Sequence, residues 1–109
     1  IKSLARHEKS LVLEDVFRIS RVLLKNNGRL AIVHRSERFM EILLLMKKYN
    51  IEPKKVRFVY PNREKNSDLV LIEGTLNGKS GLKIMNPLFV YVKKDVYSKE
   101  VKDMFGEWN

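Results

Sequence analysis

Apolar residues recur at Leu13, Val16, Phe17 and Leu24, the spacing of one helix face, and Glu14 and Asp15 sit where a helix start favours negative charge. Asn26, Asn27 and Gly28 stop that helix, because Asn and Gly accept the left-handed conformation a C-cap needs. Residues 30–33 then read as a short buried strand. Ser36 stands as N-cap of a second helix with Glu37 in its first turn, an apolar stripe at Phe39, Ile42, Leu43 and Met46, and Lys47 and Lys48 near its end. Asn50 and Pro53 close it. Val56, Phe58 and Tyr60 alternate with Lys55, Arg57 and Val59, the period of a half-buried strand over residues 56–60. A polar loop over 61–67 leads to a continuous apolar strand over 69–72. Beyond it come a turn at Asn77-Gly78, short extended pieces over 82–85 and 88–92, and a last helix over 99–105 capped by Ser98.

These spacings constrain topology. The connection between the strands at 30–33 and 56–60 carries a whole helix, as a parallel crossover requires. The connection from Tyr60 to Leu69 is short and helix-free, so that pair is expected antiparallel, with the third strand ending the sheet. A helix standing before the first strand implies an earlier strand for it to follow. The expected fold class is α/β, the closing half of a doubly wound sheet.

Composition narrows the function classes. The 109 residues, 44% apolar, have room for one small domain with a core, and no repeat or linker divides 1–109. There is no cysteine, which excludes a disulfide framework and a catalytic thiol. No apolar run is long enough to span a bilayer and the start is not a signal peptide, so the expectation is a cytoplasmic protein with no membrane partner. Lys and Arg number 22 against 13 Asp and Glu, a net charge of +9 that attracts a polyanion without naming one. The chain begins at Ile1 rather than Met, and a partial chain is expected.

Most motif matches fail on spacing. Gly78-Lys79-Ser80 resembles the tail of a phosphate-cradling P-loop, but Gly74 lies one residue too close and no long helix follows, so a hairpin turn is the better account. Asn86-Pro87-Leu88-Phe89 lacks the second proline of an amino-methyltransferase motif and reads as a turn. His7 and His34 have no companions at metal spacing. The basic residues say more. His34 and Arg35 are expected just past the carboxyl end of the first strand, the edge where open α/β sheets bind ligands, and Arg38 is placed to share a face with Arg35. Lys47, Lys48, Lys54, Lys55 and Arg57 surround the far end of the second helix, and Arg63 and Lys65 occupy the loop. Lys-rich helix ends are favoured anyway, so a solvated basic face accounts for that second group equally well.

Read in order, these segments resemble a family. Ala5-Arg6-His7-Glu8, Leu13-Glu14-Asp15-Val16 and the run Leu24-Lys25-Asn26-Asn27-Gly28-Arg29-Leu30 are similar to the stretch after the catalytic loop of class I methyltransferases. Val33-His34-Arg35-Ser36-Glu37-Arg38 resembles the "His-Arg-Pro-Glu-Arg" segment of the bacterial tRNA(Val) adenine-N6-methyltransferase family. Met46-Lys47-Lys48-Tyr49-Asn50-Ile51-Glu52-Pro53-Lys54 is similar to its "Met-Arg-Lys-Tyr-x-Leu-Glu-Pro-Lys" segment. Val56-Arg57-Phe58-Val59-Tyr60-Pro61, Leu69-Val70-Leu71-Ile72-Glu73, Gly78-Lys79-Ser80-Gly81-Leu82 and Pro87-Leu88-Phe89-Val90-Tyr91 continue the likeness. Ser36 replaces the family's usual Pro, and Tyr60 a His that often precedes Pro61.

The resemblance implies strands five to seven of a seven-stranded Rossmann-like methyltransferase sheet, the last inserted antiparallel. It implies an intact enzyme that moves a methyl group from S-adenosylmethionine to the exocyclic N6 of an adenine in tRNA, the base turned out of its stack. The resemblance further implies that the family's Gly-rich cofactor loop, ribose-binding acid and Asn-Pro-Pro-Tyr motif are expected in an N-terminal half preceding Ile1. This segment is therefore expected to hold no catalytic or cofactor-binding residue and to be inactive alone. Its expected contribution is contact with nucleic acid through His34, Arg35, Arg38, Lys54, Lys55, Arg57, Arg63 and Lys65. Another amino- or small-molecule methyltransferase of the same fold, a non-catalytic basic RNA-binding module and a purely structural segment remain the alternatives.

Overall fold

The computed structural model describes residues 12–106. The polar lead-in with Arg6, His7 and Glu8, and the chain start at Ile1, lie outside the described residues.

Helix α1 (Leu13–Leu23) opens with its predicted acids, and Asp15 accepts from the Val12 N–H at 3.2 Å, satisfying one of the donors a helix start leaves unpaired. It buries Phe17, and Asn27, at φ 67, supplies the left-handed turn after it. The second helix, α2 (Phe39–Lys48), buries Ile42 and Met46. Ser36 does not cap it. Residues Ser36–Arg38 form a single 3-10 turn, and the Ser36 hydroxyl donates instead to the Ser67 carbonyl at 2.7 Å.

The sheet is built from β1 (Arg29–Arg35), β2 (Ile51–Tyr60) and β3 (Leu69–Leu76), in the order β1-β3-β2. β3 is antiparallel to both neighbours, so β1 and β2 run in the same direction, as the helical crossover requires. The expectation that β3 ends the sheet is corrected: it lies between the other two. Its inward positions Val70, Ile72, Gly74 and Leu76 are all buried, and a strand this apolar belongs in the middle. β2 starts earlier than its alternation suggests, directly at Ile51, and a register shift between Pro53 and Lys55 absorbs the proline, which has no N–H to offer a regular ladder. Opposite Pro53 sits Gly74, where a Cβ would strike the Met46 side chain and lie 2.8 Å from Ile51. The helices can approach the sheet this closely because that position carries no side chain.

The chain after Asn77 makes no hairpin. It crosses the amino end of β2, and β4 (Lys83–Ile84) and β5 (Leu88–Phe89) pair parallel to β2 on its outer edge. Asn86 and Pro87 are the gap between those two short strands, not a turn. A separate hairpin, β6 (Tyr91–Lys93) with β7 (Val96–Tyr97), leads to α3 (Lys99–Gly106), whose Val101 N–H donates to Ser98 Oγ at 3.3 Å, the cap expected of that serine.

The main core lies between α1, α2 and one sheet face: Phe17, Ile42, Met46, Ile51, Val56 and Val70 are fully buried there, each worth roughly 2 kcal/mol of transfer energy. On the other face Val59, Leu88 and Val101 form a smaller cluster under α3. No helix among the described residues is long and apolar enough to cross a membrane.

Candidate nucleic-acid interface

Because β1 and β2 are co-directional, their carboxyl ends share one edge, with Arg35 and Val59 both in register with Leu69 of the strand between them. The crevice outside such strand ends is where open α/β folds bind ligands. Two elements frame it. The first is the loop over 61–68, pinned to the strands: the Asp68 N–H donates to the Val59 carbonyl at 3.1 Å, the Ser36 N–H to Asp68 at 3.1 Å, and Ser67 Oγ lies 2.9 Å from the Val59 carbonyl. Asn62 Oδ1 accepts from the Glu64 N–H at 2.8 Å and sets the turn that carries Arg63 and Lys65. The second is the β6–β7 hairpin, held beside the loop by the Val90 N–H on the Tyr60 carbonyl (2.9 Å) and the Tyr91 N–H on Pro61 (2.8 Å).

Aromatic rings line this edge. Arg63 lies over Phe89 at 4.6 Å from the ring centre, and Phe89 sits 5.3 Å from Tyr60. Tyr91 and Tyr97 are direct cross-strand partners, stacked at 5.0 Å, with Phe105 edge-on to Tyr97 at 5.7 Å. Tyr97, through its hydroxyl and charge, lifts the Tyr91 phenol above its ordinary value.

The eight predicted basic positions separate into three places. His34 and Arg35 lie within the last two residues of β1 rather than beyond it, and alternation turns them to opposite faces. His34 Nδ1 accepts from the Arg35 N–H at 2.9 Å. The Arg35 guanidinium, 76% exposed, pairs with Glu37 at 3.4 Å. Arg38 does not join Arg35: it grips Glu41 with two donors, one at 3.0 Å, and holds that carboxyl below its usual range. Arg63 and Lys65 complete the carboxyl-edge group. Lys54 is at the opposite end of β2, where its Nζ donates to the Lys79 carbonyl at 2.6 Å and ties down the crossing loop. Lys55 and Arg57 are on the sheet face away from α1 and α2. There they border a groove of about 270 Å³ floored by Ala31, Val33 and Leu71, with Glu73 and Met85 on its rim. Arg57 pairs with Glu100 of α3, and its Nε is buried without a hydrogen-bond partner.

Charge and motif spacing do not single out Tyr91, Tyr97 and Phe105. A usable signal was present: the near-symmetric run from Tyr91 to Tyr97 about Lys94-Asp95 is a short hairpin pattern, and Asp95 takes the left-handed φ of 61 at its turn. Among the described residues no cluster of three His, Cys, Asp or Glu side chains could hold a metal ion. The glycines Gly78 and Gly81 lie beyond the amino end of β2, in the crossing loop.

No family model matches the chain, and no curated protein matches it. Among solved structures, a protein of Agrobacterium tumefaciens described as a predicted O-methyltransferase superposes on 85% of this chain with a TM-score of 0.76 and 16% identity. The chain spans 45% of that protein's length. The likeness is one of fold: the chain has a methyltransferase-like α/β architecture.

Proposed function

We propose that the chain is the C-terminal part of a single methyltransferase domain that uses S-adenosylmethionine to methylate the exocyclic N6 of adenine in tRNA. The observation that carries the reading is the antiparallel insertion of β3 between co-directional β1 and β2, together with the fold shared with the Agrobacterium protein over nearly half its length. The order of motifs from Val33 to Tyr91 supports the substrate, and the net charge of +9 suits a polyanion.

On this reading methyl donor and reacting amine lie in polypeptide outside this chain, and the outer edge of β1, which pairs with no described strand, is where that polypeptide would extend the sheet. What this chain contributes is positional. The loop over 61–68 and the end of β1 form one wall of the crevice, and Arg35, Arg63 and Lys65 offer cations to phosphates that approach it.

The intact protein, given methyl-labelled S-adenosylmethionine and unmodified tRNA, is expected to yield N6-methyladenosine on nucleoside digestion. The 109-residue chain alone is expected to show no heat of binding with S-adenosylmethionine. A label found on a small-molecule hydroxyl favours the competing reading, an O-methyltransferase, which the description of the Agrobacterium protein supports. Micromolar cofactor binding by the isolated chain overturns the assignment of the cofactor to other polypeptide.

A further inference from the structure

We propose that the C-terminal hairpin and the last turn of α3 form a stacking platform for unpaired RNA bases, centred on Tyr97 and Phe105. It rests on the RNA reading above and adds to it a site for nucleotides that flank the methylated base.

The rings are placed and exposed for that role. Tyr97 is 40% and Phe105 57% exposed, beside the stacked Tyr91–Tyr97 pair. Phe105 adds nothing to the buried cluster under α3, which Val101 supplies. On α3, Lys102 is one turn from both Lys99 and Phe105, so each of those pairs is adjacent on the helix surface. Lys93 and Lys94 lead into the hairpin turn. None of these four lysines forms an ion pair with a described residue, and Glu100, between the two helix lysines, is turned away onto Arg57. Asp95 and Asp103 are the acids left beside them.

Partly exposed aromatic rings beside ammonium groups that pair with no described acid suit single-stranded nucleic acid, whose bases offer free π-faces next to phosphates. A duplex hides those faces in its own stack. The site is also continuous with the carboxyl edge: the hydrogen bonds from Val90 and Tyr91 to Tyr60 and Pro61 bring it alongside Arg63 and Phe89. A guanidinium plane over a ring extends the same stacking surface.

Fluorescence anisotropy of the intact protein with a short fluorescein-labelled oligouridylate tests this, against an RNA duplex of equal length. Single strands are expected to bind more tightly than duplex. Phe105→Leu, which leaves the cross-strand pair intact, and Tyr97→Leu should each weaken binding about tenfold, while Tyr97→Phe keeps it. Circular dichroism checks that each variant is folded, and an oligouridylate carrying 5-bromouracil should crosslink to Tyr97 or Phe105. Equal affinity for duplex and single strand, no change on Phe105→Leu, or crosslinks confined to other residues would overturn the platform. Failure of methyl transfer by the intact protein, with stacking retained, sinks the enzyme reading and leaves the platform standing.

Discussion

On the sheet face covered by α1 and α2, Phe17, Ile42, Met46, Ile51, Val56 and Val70 are fully shielded from water. Across the same three strands, the opposite face leaves Val33 60% and Leu69 39% exposed. The difference is one of supply. Two helices cover the first face, and the Gly74 gap lets them settle against it. Among the described residues the second face has only the short α3, which seals Val59 and Leu88 and leaves the groove beside Ala31 and Val33 open. In a doubly wound sheet both faces are normally covered. The first face is thus covered by described residues, and the second is sealed only under α3.

The largest test of that contrast is truncation. Phe17→Ala should cost about 3–5 kcal/mol in chemical denaturation, the usual loss for a large buried ring. Val33→Ala should change stability by about 0.5 kcal/mol or less, as exposed substitutions do. Comparable losses at the two sites would mean that the open face already carries folding energy.

A middle-sized test addresses α3, which Arg57 and Glu100 tether to the sheet. Glu100→Gln should speed amide exchange in residues 99–106 about fivefold, the scale of one partly exposed ion pair, while exchange in β3 is unchanged. Acceleration throughout the sheet would show α3 to be part of the main cooperative unit.

The smallest effect is in pH dependence, at the junction of the two covering helices. Glu14 accepts from Lys48 Nζ and from the Tyr49 hydroxyl at 2.7 Å, and these bonds, that of Lys48 first, hold its carboxyl below the ordinary 4.5. The contribution is present above pH 4.5 and is lost as pH falls through the depressed folded value. Lys48 and Tyr49 are both raised, chiefly by their hydrogen bonds to Glu14, so their contribution is present below their ordinary values of 10.5 and 10.0 and lost on the alkaline side. Thermal melts should fall slightly at both extremes, and Glu14→Gln should flatten both slopes. An unchanged acid slope in that variant removes Glu14 as the cause.

The elements were legible where a local signal and a tertiary need coincide. The stripe from Phe39 to Met46 lies where its period places it, and the strand over Val56 to Tyr60 is in place, although Val59, grouped by the alternation with Lys55 and Arg57, is buried under α3. What periodicity cannot encode is which edge a strand joins: a short loop after Tyr60 makes β3 antiparallel to β2, but only the partnership with β1 makes it central. Ser36 shows a similar limit, since its hydroxyl suits a cap and also suits the Ser67 carbonyl, and only the folded chain brings that carbonyl near. At the candidate site, charge drew the eye to Lys54, which neutral carbonyls of its own chain hold. The aromatic cluster is less legible, because Tyr91, Tyr97 and Phe105 carry no charge and the short Tyr91–Tyr97 hairpin pattern does not reveal that Phe105 joins it.

The broken strand at β4 and β5 has a consequence for assembly. Two fragments of two residues each, separated by Asn86 and Pro87, make a poor template for another strand, because proline has no amide hydrogen to give. β1, by contrast, presents seven uninterrupted residues at the far margin. The sheet therefore has a growing side and a blocked side. When this chain is produced by itself, any unwanted self-association should proceed through the strand carrying Ala31 and Val33, and a charge placed there is the first remedy for aggregation.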